Sequence, residues 1–102
     1  MSTLASESKP ASAVAVRLSA STLCVDLADG RTITVPLEWY PRLLHGTVAE
    51  RSNWRLIGAG EGVHWPDLDE DISIEGMLEG RSSAESRGSF QQWLVSRNAS
   101  RA

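Results

Sequence analysis

Cysteine is nearly absent from this chain of 102 residues: Cys24 stands alone, so no intrachain disulfide can form and a multi-cysteine zinc site is excluded. Long apolar runs are missing as well. The longest, Ala13-Val14-Ala15-Val16, ends at Arg17, far short of the roughly 20 residues that a membrane-spanning helix needs. The first ten residues lack the basic start and apolar stretch of a secretory leader, so the expected compartment is the cytosol. The catalytic signatures are missing too: there is no phosphate-cradling glycine loop, no Gly-x-Ser-x-Gly elbow and no His-Glu-x-x-His. A cysteine nucleophile would have to pair Cys24 with His45 or His64, and Asp26 then places a like charge near the thiolate. The sequence therefore predicts a protein that is not an enzyme and holds no cofactor.

What is present is the composition of one small domain, 41% hydrophobic and 23% charged. Phe and Tyr occur once each against four tryptophans. Trp39, Trp54 and Trp65 are expected to supply core mass, with their polar edges satisfied near the surface. Charge is divided unevenly. Residues 1–80 carry six basic against twelve acidic side chains, whereas residues 81–102 carry Arg81, Arg87, Arg97 and Arg101 against Glu85 alone. The stretch from Glu61 to Glu79 holds seven acids and no Lys or Arg. Such a surface repels phosphate, which makes nucleic-acid binding by residues 1–80 unfavourable and suits a basic protein.

Alternation of apolar with small or polar residues at Val14, Val16 and Leu18 and at Leu23, Val25 and Leu27 predicts two half-buried strands. Asp29-Gly30 supplies the positive φ angles of a tight turn into a third strand through Ile33 and Val35. Pro36 ends that strand, and Pro41 opens a short helix that Gly46 stops. Thr47 and Glu50 have capping-box spacing, placing a second short helix from Val48 to about Asn53. A looser hairpin joins 54–57 to 63–65, Asp71–Ile74 is a further strand, and Glu75–Gly80 closes with a helical turn. The expected fold is α+β: a small antiparallel sheet built from two hairpins, with short helices packed on one side and a C-terminal amphipathic helix. Residues 1–12 form a disordered arm in this reading, 13–80 the domain, 81–89 a flexible linker and 90–98 the helix. Ser89 and Gln92 repeat the capping-box spacing, and Phe90, Trp93 and Leu94 share one helical face. So short a helix must dock to be stable, on the sheet face of its own domain or across to a second copy. A homodimer through residues 89–98 is the corresponding partner expectation.

The stretch Asp29-Gly-Arg-Thr-Ile-Thr-Val-Pro-Leu-Glu-Trp-Tyr-Pro-Arg-Leu43, followed by Trp54, Gly60, His64-Trp65-Pro66, Leu68-Asp69-Glu70-Asp71-Ile72 and Gly76-Met77-Leu78, resembles the bacterial family catalogued as domain of unknown function 2442 over about residues 14–80. The resemblance implies a small α+β domain, found alone or joined to a helix-turn-helix, often encoded beside another small protein. A toxin–antitoxin role is implied by that gene arrangement. This chain has no room for a helix-turn-helix between its ends, and the Arg-rich C-terminal segment lies outside the resemblance.

Asp67, Asp69 and Asp71 open like a calcium loop, yet the sixth and twelfth positions, which need Gly and Glu, are Ile72 and Leu78. His64 beside Asp67 and Asp69 is a lone imidazole among carboxylates, so no metal site is expected. The same residues read as a surface for a partner. Tyr40 and Arg42 are of types enriched at binding hot spots. With His64, Asp67, Asp69, Glu70, Asp71 and Trp93 they form the candidate partner-binding set. The competing reading makes Trp39, Trp65 and Leu68 a joint between hairpins and helices, with Arg42 clamped to Asp69 or Asp71. Two functions lead, ahead of small-molecule or metal binding, which ranks last: a non-enzymatic module, antitoxin-like inhibitor or adaptor, that engages a basic protein through its acidic face, or a regulatory domain that reaches nucleic acid through its basic C-terminal tail.

Overall fold

A computed structural model describes residues 11–100, with side chains through residue 98. Among the described residues six strands and four α-helices follow one another, an α+β arrangement. β1 (Ala13–Leu18), β2 (Thr22–Leu27) and β3 (Thr32–Pro36) form one antiparallel sheet with β2 in the centre. β4 (Arg55–Ile57), β5 (Gly62–Trp65) and β6 (Glu70–Ser73) form a second, with β5 in the centre. Each expected hairpin thus lies in its own three-stranded sheet. Between the sheets run a 3-10 turn (Leu37–Trp39), α1 (Pro41–Leu44) and α2 (Val48–Ser52); α3 (Ile74–Leu78) and α4 (Arg87–Ser100) follow.

Local chemistry sets most boundaries. Pro41 occupies the first turn of α1 and Tyr40 before it is extended, with φ −130° and ψ 85°. Thr47 and Glu50 form the complete capping box of α2, at 3.1 Å and 2.8 Å. Ser73 both ends β6 and caps α3, accepting from the Gly76 amide at 2.9 Å.

One turn and one strand differ from expectation. In the β2–β3 loop only Gly30 takes a positive φ, 95°. Its amide donates to Leu27 O at 3.0 Å, and the Leu27 amide to Arg31 O at 2.8 Å, making a three-residue loop rather than a two-residue one. In β1 a bulge between Ala13 and Ala15 shifts the register, so that Val14 is exposed while Ala13 and Val16 face inward. Order also begins earlier than the sequence suggests. Ala11 packs on the core and Ser12 O accepts from the Ala28 amide; the rest of the expected arm, residues 1–10, lies outside the described residues.

The core is one cluster spanning both sheets, with Leu23, Val25, Leu37, Leu43, Val63, Trp65 and Leu68 wholly buried. A backbone bond joins the sheets directly, Ala13 N to Gly60 O at 2.8 Å, while Ile74 N to Glu61 O at 3.0 Å continues the β5–β6 ladder. Trp65 is the tryptophan at the centre, whereas Trp39, Trp54 and Trp93 pack on the margin.

The C-terminal region departs furthest from the sequence reading. Residues 81–86 are not a free linker: the Ser83 amide donates to Trp39 O at 2.9 Å, and the Tyr40 hydroxyl to Arg81 O at 3.3 Å. The helix starts at Arg87 rather than Phe90. Its first turn is capped by Ser86, whose hydroxyl accepts from the Ser89 amide at 3.1 Å, while Ser89 itself donates its hydroxyl to Glu85 at 2.7 Å. The helix docks on its own chain against α1 and α2, not on a sheet face. Trp93 lies between two guanidinium groups, Arg42 at 5.1 Å and Arg97 at 4.9 Å from its ring centre, and stacks on Phe90 at 5.7 Å. Arg97 donates to Glu50 at 2.6 Å and 3.0 Å, and Phe90 meets His45 at 5.3 Å.

Two cation–π contacts contribute about 0.5–1 kcal/mol each where partly exposed. Trp93→Ala is therefore expected to remove about 1–2 kcal/mol and to lower the melting temperature by roughly 4–15 °C for a domain of this size. Thermal unfolding followed by circular dichroism measures it. An unchanged midpoint would mean that the helix does not depend on this docking.

Candidate partner-binding groove

The acidic residues are organised by the turn between β5 and β6. Trp65 and Leu68 bury their side chains on either side of Pro66 and Asp67, and the Leu68 amide donates to Trp65 O at 3.2 Å. Anchoring Leu68 in the core forces a sharp reversal at Asp69, which adopts φ 51°, a left-handed conformation that aspartate tolerates better than most residues. Arg42 reaches across from α1 and donates to Leu68 O at 3.1 Å and Asp69 O at 3.5 Å. It thus holds the turn's backbone, and the Asp69 side chain stays 91% exposed.

Arg42 is a clamp, but its carboxylate partner is Glu85 rather than Asp69 or Asp71. Nε lies 2.9 Å and 3.1 Å from the two Glu85 oxygens and Nη2 lies 2.6 Å from Oε2, against 3.9 Å to the Asp69 carboxylate. The Arg42 and Glu85 side chains are only 14% and 13% exposed, so the charge-assisted fork is partly desolvated. Hydrogen bonding to Arg42 holds the Glu85 carboxyl below its ordinary value.

This clamp pulls residues 81–85 across from β6 and leaves a groove of about 620 Å³ between them. Tyr40, Ile72 and Gly76 line it together with Glu70, Ser82 and Ser83. Glu70 is half-buried there. Burial pushes its carboxyl up to about 7, against the pull of Arg42 and with the repulsion of Glu85, Asp71 and Asp69 adding to the rise. Burial likewise raises the Tyr40 phenol, with Glu70 adding to the shift.

Of the residues singled out from sequence, Asp69, Glu70 and Asp71 come together on the groove, and His64 joins them by pairing its Nδ1 with Asp71. Asp67 points elsewhere, accepting from Asn53 Nδ2 at 3.0 Å. Tyr40 is 3% exposed and Arg42 is committed within the chain, so both build the wall instead of offering a contact surface. Trp93 lies outside the groove and meets its wall at Arg42. Glu85, Ser82 and Ser83 were hidden in the apparent linker; the lone acid of an otherwise basic tail was the one signal available for Glu85. Cys24 lies on the first sheet, 3.3 Å from the Thr34 hydroxyl.

The carboxyls predict a pH dependence with two limbs. Hydrogen bonding to Arg97 holds Glu50 down at about 2 in the fold, so its stabilisation is lost as pH falls from the ordinary value of about 4.5 toward 2. Glu70 has the opposite sign: the folded chain keeps a proton that the unfolded chain gives up, so stability falls as pH rises from about 4.5 to about 7. Melting temperatures from acid to neutral pH are expected to peak near pH 5, with Glu70→Gln removing the decline above the peak and leaving the acid limb. A decline that survives in Glu70→Gln would assign it to another group.

The family model described as "Protein of unknown function (DUF2442)" matches residues 13–83. No curated protein matches the chain. Two solved structures share its fold. A crystal structure of a protein of unknown function from Rhodospirillum rubrum is 26% identical, covering 72% of this chain and 92% of that one with a TM-score of 0.64. A solution NMR structure of an uncharacterised protein from Chromobacterium violaceum is 22% identical, covering 81% of this chain and 76% of that one, also with a TM-score of 0.64.

Proposed function

The chain belongs to the DUF2442 family, and we propose that it is a non-enzymatic cytosolic module that binds a basic protein, as an inhibitor of the antitoxin kind or as an adaptor, through the acidic rim of the Tyr40–Glu70 groove. One observation carries the reading. Arg42 grips the backbone of the β5–β6 turn and leaves the Asp69 carboxylate in solvent, beside Asp71, which is 68% exposed. Charges held in place on a rigid turn lose little entropy when a cationic partner arrives, and they steer its approach.

The nucleic-acid alternative has less support, because two of the tail's cations are already paired within the chain. Arg97 is paired with Glu50 at 2.6 Å and Arg81 with Glu79 at 3.2 Å. Neutralised arginines contribute little to counterion release from a phosphate backbone.

Affinity capture from the native host tests the proposal when wild type is run beside the double variant Asp69→Lys with Asp71→Lys. A basic protein is expected on the wild type, released by raised salt and absent from the variant, with both chains shown folded by circular dichroism. A partner that binds both chains alike, or a nucleic acid retained in its place, would overturn it.

A further inference from the structure

Within the groove the charges do not balance. Among the described residues the Glu70 carboxyl makes no hydrogen bond or ion pair, although two guanidinium groups stand on the groove wall. Arg42 is taken by Glu85 at 2.6 Å and Arg81 by Glu79 at 3.2 Å. A half-buried carboxyl beside a cavity of about 620 Å³, within the range of small-ligand pockets, is thus left facing open space. The walls are of two kinds. Tyr40 and Ile72 give an apolar side, and Ser82 and Ser83 a hydroxyl side. A bare metal ion suits this poorly, since no group of three or more His, Cys, Asp or Glu able to hold one occurs among the described residues. An anion is opposed by Glu70, Asp69 and Asp71 together.

We infer that the groove seats a single organic cation, a guanidinium or primary ammonium on an aliphatic stem, with Glu70 as its counter-ion and Ser82 and Ser83 on the facing wall. The inference rests on the protein-binding reading and deepens it, naming an arginine or lysine side chain as the part of the partner that enters. The titration of Glu70 agrees with it. Arg42 faces Glu70 from α1, Asp69 and Asp71 from the turn and β6, and Arg81 and Glu85 from residues 81–86. In that setting the empty groove holds Glu70 largely protonated below about pH 7, and an arriving cation favours the ionised form, so binding near neutrality releases a proton.

Titration of the full chain with agmatine tests this, followed by amide NMR shifts and by calorimetry at neutral pH in two buffers of different ionisation enthalpy. Saturable shifts are expected at Glu70, Ile72 and Ser82–Ser83, with a buffer-dependent heat that reports the released proton. Glu70→Gln keeps the shape of the side chain and is expected to fold, to weaken agmatine at least tenfold and to abolish the buffer dependence. A short peptide with one arginine, beside the same peptide carrying citrulline, separates the sources of the cation. Binding of the arginine peptide at least tenfold tighter than agmatine, with the citrulline peptide silent, assigns the seat to a protein side chain. Agmatine equal to or tighter than the peptide assigns it to a free small cation. No saturable shift at the groove, or equal binding by wild type and Glu70→Gln, overturns the inference. If agmatine fails while the captured partner still depends on Asp69 and Asp71, the seat alone is wrong. If agmatine binds while charge reversal leaves the partner in place, the protein-binding reading is wrong and the seat stands.

Discussion

Trp65→Ala is expected to lose about 3–5 kcal/mol, the range for truncating a buried large aromatic side chain, and to lower the urea midpoint of unfolding sharply. The side chain is wholly buried at the end of the central strand of the second sheet, where Trp65 pairs with Glu70 across β6. Its indole N–H reaches the far end of α2 and donates to Arg51 O at 2.9 Å. One residue therefore ties the second sheet to the helical connection. Removing it opens a cavity and orphans a carbonyl, against a total stability for small domains of about 5–15 kcal/mol. Trp65→Phe separates the two effects. It keeps most of the ring but lacks the donor, so it is expected to fold with a lower urea midpoint and an unchanged slope. A Trp65→Ala chain that unfolds cooperatively with a loss under about 1 kcal/mol, the usual scale of surface changes, would show that the ring is not the keystone.

What could be read in advance divides along the range of the interactions. Leu23, Val25 and Leu27 alternate plainly because β2 is central in its sheet and presents one face to the core. The same alternation misleads at Val14, where the bulge turns the side chain outward for reasons that lie in the pairing with β2 and not in β1 itself. Thr47 and Glu50 signal a capping box that forms, since both partners sit in one turn. Ser89 and Gln92 have identical spacing and do not cap, because Ser89 is drawn to Glu85 and Ser86 takes the cap position. The turn acids were readable as an acidic surface from composition, but the groove was not. It depends on Arg42 meeting Glu85 from 43 positions away along the chain. A stretch of Gly, Ser and Arg looks like a linker because it lacks apolar anchors, yet residues 81–86 are held by backbone, hydroxyl and ionic contacts that hydropathy does not register.

The same limit applies to the glycines, and it sets up the second large effect. Gly60→Ala is expected to destabilise the domain by about 2–6 kcal/mol, well beyond any other Gly→Ala change in its turns. Two terms contribute. Gly60 adopts φ 90°, where a side chain adds about 1–3 kcal/mol of backbone strain. A Cβ would also stand 2.5 Å from Ala13 O and 3.0 Å from Ala13 N, against backbone that cannot swing aside, and overpacking of this kind adds about 1–3 kcal/mol. That clash falls on the bond from Ala13 N to Gly60 O that joins the sheets. Gly30 is the internal control. It has nearly the same φ, 95°, with nothing within 4 Å of its Cβ position, so Gly30→Ala reports strain without collision. Urea denaturation of the two variants is expected to place Gly60→Ala lower in midpoint by the collision term. Equal midpoints would mean that β1 yields to the new methyl group and that the junction between the sheets is softer than its geometry implies.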